Sequence, residues 1–323
     1  MKKTRSPLAK FSWIIVIYTI FIILWGAVVR ATGSGAGCGS HWPTCHGEII
    51  PRPEAMETII EFTHRLTSAI LGPLIIGMLV WCWRSLGRRA AATKAAIWSL
   101  VLVIVEGGLG AGLVLFELVS DEDSLASGLA MGIHLINTLL LLGAISLTAW
   151  YASGYAAPSL WAPNTRQLRW ALGIGLAGLL LVSAFGAVTA LGDTLFPADS
   201  FLEGAAAKFE PNAHFAVKMR TWHPTVAVAV SLYITILVYT VETFWRTTTL
   251  KWLARFNLAI IIIQILGGFV NVLLAAPIWM QLVHLALADL AWMAFLLIGV
   301  EGLSQKEQAQ AEVEVLLEPS PAH

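Results

Sequence analysis

The sequence predicts an all-α integral membrane protein, with eight transmembrane helices arranged as two pseudo-twofold-related four-helix bundles. Three observations predict it. The chain of 323 residues is 57% hydrophobic and only 12% charged, with a mean hydropathy of +0.75, which places it outside the soluble globular class. Apolar runs long enough to cross the hydrocarbon recur eight times, near 11–30, 57–83, 96–118, 128–152, 169–190, 217–242, 254–275 and 278–302. Finally, the motifs on the first four runs return in order on the last four.

The elements follow from the chain in turn. The first run comes after Lys2, Lys3, Arg5 and Lys10. It is long and continues into Gly-Ala-Val-Val-Arg with no Ala-x-Ala cleavage pattern, so it reads as a span and not as a cleaved signal peptide. The loops then sort by charge. The N-terminus, the 84–95 loop (Arg84, Arg88, Arg89, Lys94), the 153–168 loop (Arg166, with Arg169 at its edge) and the 243–255 loop (Arg246, Lys251, Arg255) are basic. The alternate loops carry Glu48, Glu54 and Glu57; Asp121, Glu122 and Asp123; Asp193, Asp199, Glu203 and Glu210. The basic side is expected to be cytoplasmic, with both termini inside a cell membrane that the chain crosses many times. The tail from Ser304 to His323 is polar and acidic and is expected to be disordered. The organisation predicted is an N-terminal half over 1–152, a cytoplasmic linker over 153–168, a C-terminal half over 169–302 and a polar tail over 303–323.

The duplication is explicit. The first span ends Trp-Gly-Ala-Val-Val-Arg-Ala-Thr-Gly (25–33) and the fifth ends Phe-Gly-Ala-Val-Thr-Ala-Leu-Gly (185–192). From Gly26 to His64 is 38 positions, and from Gly186 to His223 is 37. The third span carries Glu106-Gly-Gly-Leu-Gly-Ala-Gly112 and the seventh Gln264-Ile-Leu-Gly-Gly268. The fourth has His134-Leu-Ile-Asn137 and the eighth His284-Leu-Ala-Leu-Ala-Asp289. Four helices per half is an even number, so the halves share one orientation and relate by an axis along the membrane normal. The glycines allow close helix approach.

His64, His134, His223 and His284 fall about two turns inside the outward ends of the even-numbered spans, at one depth. An imidazole buried in lipid is costly and is usually functional. Paired neutral imidazoles at one level of a bundle make an axial ligand set for haem iron. Two bundles with two inward histidines each make two haem-sized sites near the outer face. The halves differ at one turn. Glu61-Phe-Thr-His64 puts a carboxylate on the face of its histidine, where Arg220-Thr-Trp-His223 puts a guanidinium. A carboxylate beside iron moves protons or steadies positive charge; an Arg suits a haem propionate. Chemistry is therefore expected in the N-terminal half and a fixed cofactor in the C-terminal half.

Cys38 and Cys45 lie in the first outer loop, Gly37-Cys-Gly-Ser-His-Trp-Pro-Thr-Cys-His46. They read either as a redox-active pair or as a staple over the N-terminal site. A Cys/His metal site with His41 and His46 is a further option. Cys82 reads as an inert buried thiol. Glu106 is an intramembrane carboxylate, functional by its place or bonding between helices, with Gln264 as its rough counterpart; Asn137 and Asp289 either orient neighbouring imidazoles or bond across the bundle. Arg30 and Arg65 join Arg220 as propionate partners, or else snorkel to headgroups. His214 reads as a surface loop residue.

Taken together, Gly-Ala-Val-Val-Arg-Ala-Thr-Gly-Ser-Gly, the Cys38/Cys45 loop with Trp-Pro-Thr-Cys-His-Gly, Glu61-x-x-His64 and the later His134, His223 and His284 resemble the heme A synthase family of bacterial and mitochondrial membranes, over all eight spans. The resemblance implies oxidation of the C8 methyl of heme O to a formyl group, through two hydroxylations and loss of water, to give heme A for terminal oxidases. It implies His64 and His134 as ligands of the heme O substrate, His223 and His284 as ligands of a heme B cofactor, Glu61 as catalytic, and a Cys38–Cys45 disulfide serving electron transfer or loop integrity. A heme O synthase and an electron donor of unidentified kind are the implied partners, alongside the lipid bilayer; no nucleic-acid partner is expected. Some members carry a second cysteine pair after the fifth span, but this chain has no Cys over 191–216, so an electron path needing two disulfides is not available to it. The competing readings are a di-haem b-type membrane electron-transfer protein, a transporter and a haem-delivery scaffold.

Overall fold

The computed structural model describes residues 6–52, 55–119, 122–158, 165–244 and 247–317, with side chains as far as Ser304. Lys2, Lys3, Arg5, Glu54, Asp121 and Arg246, which enter the charge argument, lie outside the described residues, as do 159–164 of the linker and the end of the tail from 318. The described chain is helical, in the order α1 (Pro7–Ala31), a 3-10 turn (Ser34–Ala36), α2 (Met56–Leu86), α3 (Ala91–Leu115), α4 (Leu125–Ala152), α5 (Arg166–Leu195), α6 (Phe201–Ala207), α7 (Phe215–Phe244), α8 (Thr248–Leu273) and α9 (Ile278–Leu317). All of these α-helices except the seven-residue α6 are long and apolar enough to cross a membrane. They coincide with the eight apolar runs of the sequence.

Local chemistry fixes several ends. Ser6 accepts the Ala9 amide at 3.1 Å, and Pro7 follows it at the first helical position of α1, where a missing N–H costs nothing. Ser124 caps α4 through the Ser127 amide and Thr247 caps α8 through the Leu250 amide, each at 3.2 Å. Gly87 closes α2 at φ +85°, a conformation that disfavours any side chain. One end departs from expectation. α9 runs on to Leu317, through most of the stretch read as a disordered tail from Ser304. That segment is built from Gln, Glu, Lys, Ala, Val and Leu with no Gly or Pro before Pro319, so helix propensity carries the helix beyond the apolar run.

Packing divides the molecule along its length. α3 packs on α4 and α2, α1 on α2 and α4, α5 on α7, and α8 on α9, while α1, α4, α5 and α9 meet at the centre. The dry cores fill one end. Leu8, Ile15, Ile75, Met78, Leu142 and Ile145 form one cluster; Val238, Val241, Leu250, Leu253, Phe295 and Ile298 form the other. α5 and α9 touch there so closely that a methyl at Gly175 would lie 2.6 Å from Phe295 Cζ. At the opposite end the helices stand apart, and a cavity takes the place of a core.

Candidate functional site

The hollow end is lined by the four histidines that the sequence singles out. His64 lies eight positions into α2, His134 nine into α4, His223 eight into α7 and His284 six into α9. At 1.5 Å per residue these depths agree to about one helical turn. All four border one cavity of about 1610 Å³, which runs from one half of the chain into the other. The sequence predicts two sites; the structure joins them in a single hollow.

Each imidazole rests against a glycine of the preceding spanning helix. A methyl placed on Gly26 of α1 would lie 3.0 Å from His64 Cε1. The distance is 3.1 Å from Gly186 of α5 to His223, 3.0 Å from Gly268 of α8 to His284, and 4.0 Å from Gly110 of α3 to His134. These are the glycines of the repeated motifs, and their lack of a side chain makes room for the ring. The ring nitrogens are poorly served by the protein. Nδ1 of His64, His134 and His284 is buried with no hydrogen-bond partner, a rarity that calls for a reason. His223 Nδ1 pairs with the Val182 carbonyl at 3.1 Å. The His223 and His284 rings face each other across the cavity with centroids 6.3 Å apart, edge to face. Glycine-cradled imidazoles, three of them with an unanswered ring nitrogen, facing a large apolar cavity fit the donor set that haem iron requires.

Two polar residues missed as histidine partners stand at matching places. Glu106, four positions before Gly110, has Oε1 3.6 Å from His134 Nδ1. It accepts Asn137 Nδ2 at 2.6 Å and the Thr138 hydroxyl. Gln264, four positions before Gly268, has Nε2 3.2 Å from His284 Nε2. So the same position faces the histidine in both halves, as a carboxylate in one and an amide in the other. The signal was visible as a polar residue in mid-span; its direction was not. Asn137 bonds across the bundle to Glu106 and to the Leu102 carbonyl. Asp289 is fully buried, and neither of its oxygens has a hydrogen-bond partner; it does not orient an imidazole.

Glu61 sits one turn from His64, 3% exposed. Its Oε2 accepts the Cys38 amide at 2.8 Å, and its Oε1 pairs with Arg65. Arg65 reaches on to the carbonyls of His41 (2.6 Å) and Thr44 (2.9 Å). Cys38 and Cys45 form a disulfide, and Thr58 donates to the Gly37 carbonyl at 2.7 Å. The disulfide ring therefore sits as a cap on Glu61, held by Arg65. Both sulfurs are in the disulfide, so a metal site from Cys38, His41, Cys45 and His46 does not form; among the described residues no group of three or more His, Cys, Asp or Glu is placed to hold a metal ion. Cys82 is free and buried.

At the equivalent place Arg220 pairs with Asp193 at 2.8 Å and with the Phe196 carbonyl at 2.6 Å. Arg30 reaches from α1 to the Ala190 carbonyl (2.6 Å), Thr194 (2.8 Å) and Gln281 (2.6 Å), tying the two halves together instead of snorkelling. All three expected propionate partners border the cavity, and each already holds acceptors of the protein. His41 and His46 are exposed. His214 packs between Phe196 and Phe215, its ring tilted against both.

Similar proteins give this arrangement a context. A protein of Thermus thermophilus named protoheme IX farnesyltransferase is 41% identical over 300 residues, which is 93% of this chain and 49% of that protein. The chain thus spans about half the length of the Thermus relatives it matches. A heme A synthase of Alkalihalophilus pseudofirmus is 27% identical over 286 residues, 88% of this chain and 93% of its own. One from Halalkalibacterium halodurans is 43% identical over 97 residues, 30% of this chain and 33% of its own. The model of the COX15-CtaA family, described as cytochrome oxidase assembly protein, matches residues 9–296, nearly the whole spanning region and both histidine pairs, and to this family, which takes in the heme A synthases, the chain belongs.

Proposed function

We propose that this chain is a heme A synthase, a membrane oxidoreductase that converts the C8 methyl of heme O to a formyl group by successive hydroxylations. The observation that carries the reading is Glu61, a buried carboxylate one turn from His64 on the wall of the histidine cavity. Its C-terminal counterpart is Arg220. His64 and His134 would hold the substrate heme O, and His223 and His284 a heme B cofactor. When bound, haem iron together with an external oxidant would supply the oxidising power for a strong methyl C–H bond, which no side chain can provide. The protein's own part is to position and to move protons. The Cys38 amide and Arg65 fix Glu61 so that its carboxylate keeps one orientation toward the cavity. There it takes up a proton at Oε1 or Oε2, or steadies positive charge at the methyl. The disulfide ring closes the outer end above it and limits water. Gln264 and the Val182 carbonyl orient His284 and His223.

The substrate assignment draws support from the Thermus relative. A protein named for farnesyl transfer to protoheme, half of which this chain matches, fits a substrate haem that carries a farnesyl group and a heme O synthase acting just before. The charge pattern of the loops supports both termini in the cytoplasm and the haem sites toward the extracytoplasmic face. A di-haem b-type electron carrier is favoured by one observation, the glycine that faces each of the four histidines in both halves. The Glu61/Arg220 difference weighs against it.

The test is expression in cells that make heme O but no heme A, followed by extraction and mass identification of the haems. Heme A is expected with the intact chain. Glu61→Gln retains the shape that accepts the Cys38 amide; it should keep both haems and lose at least tenfold in heme A formation. Full heme A output from Glu61→Gln, or heme B alone from the intact chain with heme O available, would overturn the proposal.

A further inference from the structure

Three amides stand on one face of α8. Asn257, Gln264 and Asn271 are spaced seven residues apart, a repeat that returns to nearly the same side of a helix after two turns. All three border the cavity, and in each the side-chain carbonyl oxygen is buried with no hydrogen-bond partner. Asn257 is 0% exposed, and its Nδ2 donates to the Ala291 carbonyl at 3.5 Å. The α3 positions that match them in the repeat are Ser99, Glu106 and Leu113. There the Ser99 hydroxyl donates to Ala95 of its own helix, the Glu106 oxygens accept from Asn137 and Thr138, and a leucine has nothing to satisfy. Of these two helices, only α8 carries a row of unanswered acceptors.

The row covers depth. Measured from Gly268, which faces His284, Asn271 lies three positions outward, Gln264 four inward and Asn257 eleven inward. At 1.5 Å per residue the row runs from about 4.5 Å outside the histidine level to about 16.5 Å inside it. Two serines of α5 and α7 fall in the intervals and also border the cavity: Ser183, three positions inward of Gly186, and Ser231, eight inward of His223. At its outer end the cavity reaches Ala198, Ser200 and Lys208, between α5 and α7. At its inner end Asn257 is the last residue of α8 on the wall; Leu253 and Leu250, one and two turns further, belong to the dry cluster.

We propose that this face of α8 holds a file of ordered water, open at the outer side and closed at Asn257, which carries water and protons between the outer phase and the middle of the membrane. Buried polar groups without protein partners are satisfied by water where the space is polar and large enough, and intramembrane polar residues that face a cavity mark such pathways. A haem does not answer these acceptors. Its carboxylates lie on one edge and the rest of its rim is apolar, whereas the amides stand both outward and inward of the histidine level. Neutral amides also hold water without a buried charge that would need a partner. The closed inner end keeps the file from conducting across the bilayer. In the last step of a methyl-to-formyl oxidation the diol carbon loses one hydroxyl together with the proton of the other, and one water leaves; the single cavity joins the file to that site. This use rests on the heme A synthase reading; the presence of the file does not.

The test is hydroxyl-radical labelling of the haem-loaded chain in nanodiscs, with radicals made from water in place by an X-ray pulse and oxidised residues read by mass. Trp292 and Trp150 are a matched pair, 4% and 5% exposed. Trp292 borders the cavity next to Ala291, whose carbonyl Asn257 reaches; Trp150 lies in the dry cluster. Trp292 should be labelled at least fivefold faster than Trp150, and Asn257→Leu should bring it down to the rate of Trp150 with haem content unchanged. Equal rates for the two tryptophans in the intact chain overturn the file. If Asn257→Leu fails to hold its haems, Asn271→Leu at the outer end decides: it should slow the labelling of Trp292 likewise, and an unchanged rate overturns the file. In cells that make heme O, a variant that has lost the labelling should form at least fivefold less heme A; full output from it overturns the role in the reaction. No heme A from the intact chain, with Trp292 labelled as expected, would instead overturn the heme A synthase reading and leave the file standing.

Discussion

Replacing Gly26 with alanine tests whether the glycines exist to seat imidazoles. The new methyl would lie 3.0 Å from His64 Cε1 and 3.3 Å from Nε2. Carbon atoms in contact prefer about 3.5–4.0 Å, so the ring must retreat by roughly 0.5 Å or tilt. Overpacking of this kind costs about 1–3 kcal/mol. With the ligand held in register by the iron, that strain is felt as haem affinity, and 1.4 kcal/mol is a factor of ten, so the loss is about 5- to 150-fold. Gly110 is the internal control. There the methyl would lie 4.0 Å from His134 Cε1, an ordinary contact, and Gly110→Ala should bind as the intact chain does. Alanine also favours helix over glycine by about 1 kcal/mol, so neither variant should unfold before the other. The assay is haem occupancy by extraction, with the Soret band as the readout of ligation. Gly26→Ala should deplete the N-terminal haem and spare the C-terminal one; Gly186→Ala and Gly268→Ala should do the reverse. Equal occupancy in Gly26→Ala and Gly110→Ala would refute the reasoning, because the two differ only in the room left for the ring.

Two further outcomes follow from the polar contacts. Arg30→Ala removes three hydrogen bonds between the halves and leaves their acceptors part-buried; a hydrogen bond to a charged group contributes about 1.5–3 kcal/mol net, and three that share one buried guanidinium do not add. Thermal unfolding in detergent should show the variant destabilised by about 2–4 kcal/mol with both haems retained, and loss of one haem without loss of stability would instead mark Arg30 as a haem contact. Glu106→Gln places in the N-terminal half the amide that the C-terminal half already has beside its histidine. It should raise the reduction potential of the N-terminal haem, because a carboxylate near an axial imidazole makes it the better donor; a redox titration that leaves that potential unmoved removes Glu106 from the ligand's environment.

How much of this was legible in the chain varies with the range of the interaction. The eight spans follow from apolar run length, a local property, and their ends moved by only a few residues. The histidines and the glycines opposite them were visible because duplication prints each motif twice. What could not be read was contact between elements distant in sequence. Arg30 reads as a headgroup or propionate ligand by its place near an interface, yet its partners Ala190, Thr194 and Gln281 lie 160 or more positions away. Arg65 reads the same way, but the disulfide loop folds back on α2 and takes it. Glu106 reads as a bond between helices, since a mid-span carboxylate does not declare which neighbour it faces. The end of α9 departs from expectation for a different reason: a polar, acidic segment reads as disorder, but its residues favour helix.

The duplication also makes the differences interpretable. A glycine of the preceding span faces each histidine in both halves, tightly in three cases and at ordinary contact distance for Gly110. Against that shared frame, the carboxylates fall on one side. The N-terminal half has Glu61 where the other has Arg220, and Glu106 where the other has Gln264. A carrier with two permanent haems has no use for carboxylates beside one ligand pair alone, whereas a half that oxidises a bound haem needs groups that hold and move protons. This asymmetry of charge is the strongest argument for the proposal that the two sites divide the work between substrate and cofactor.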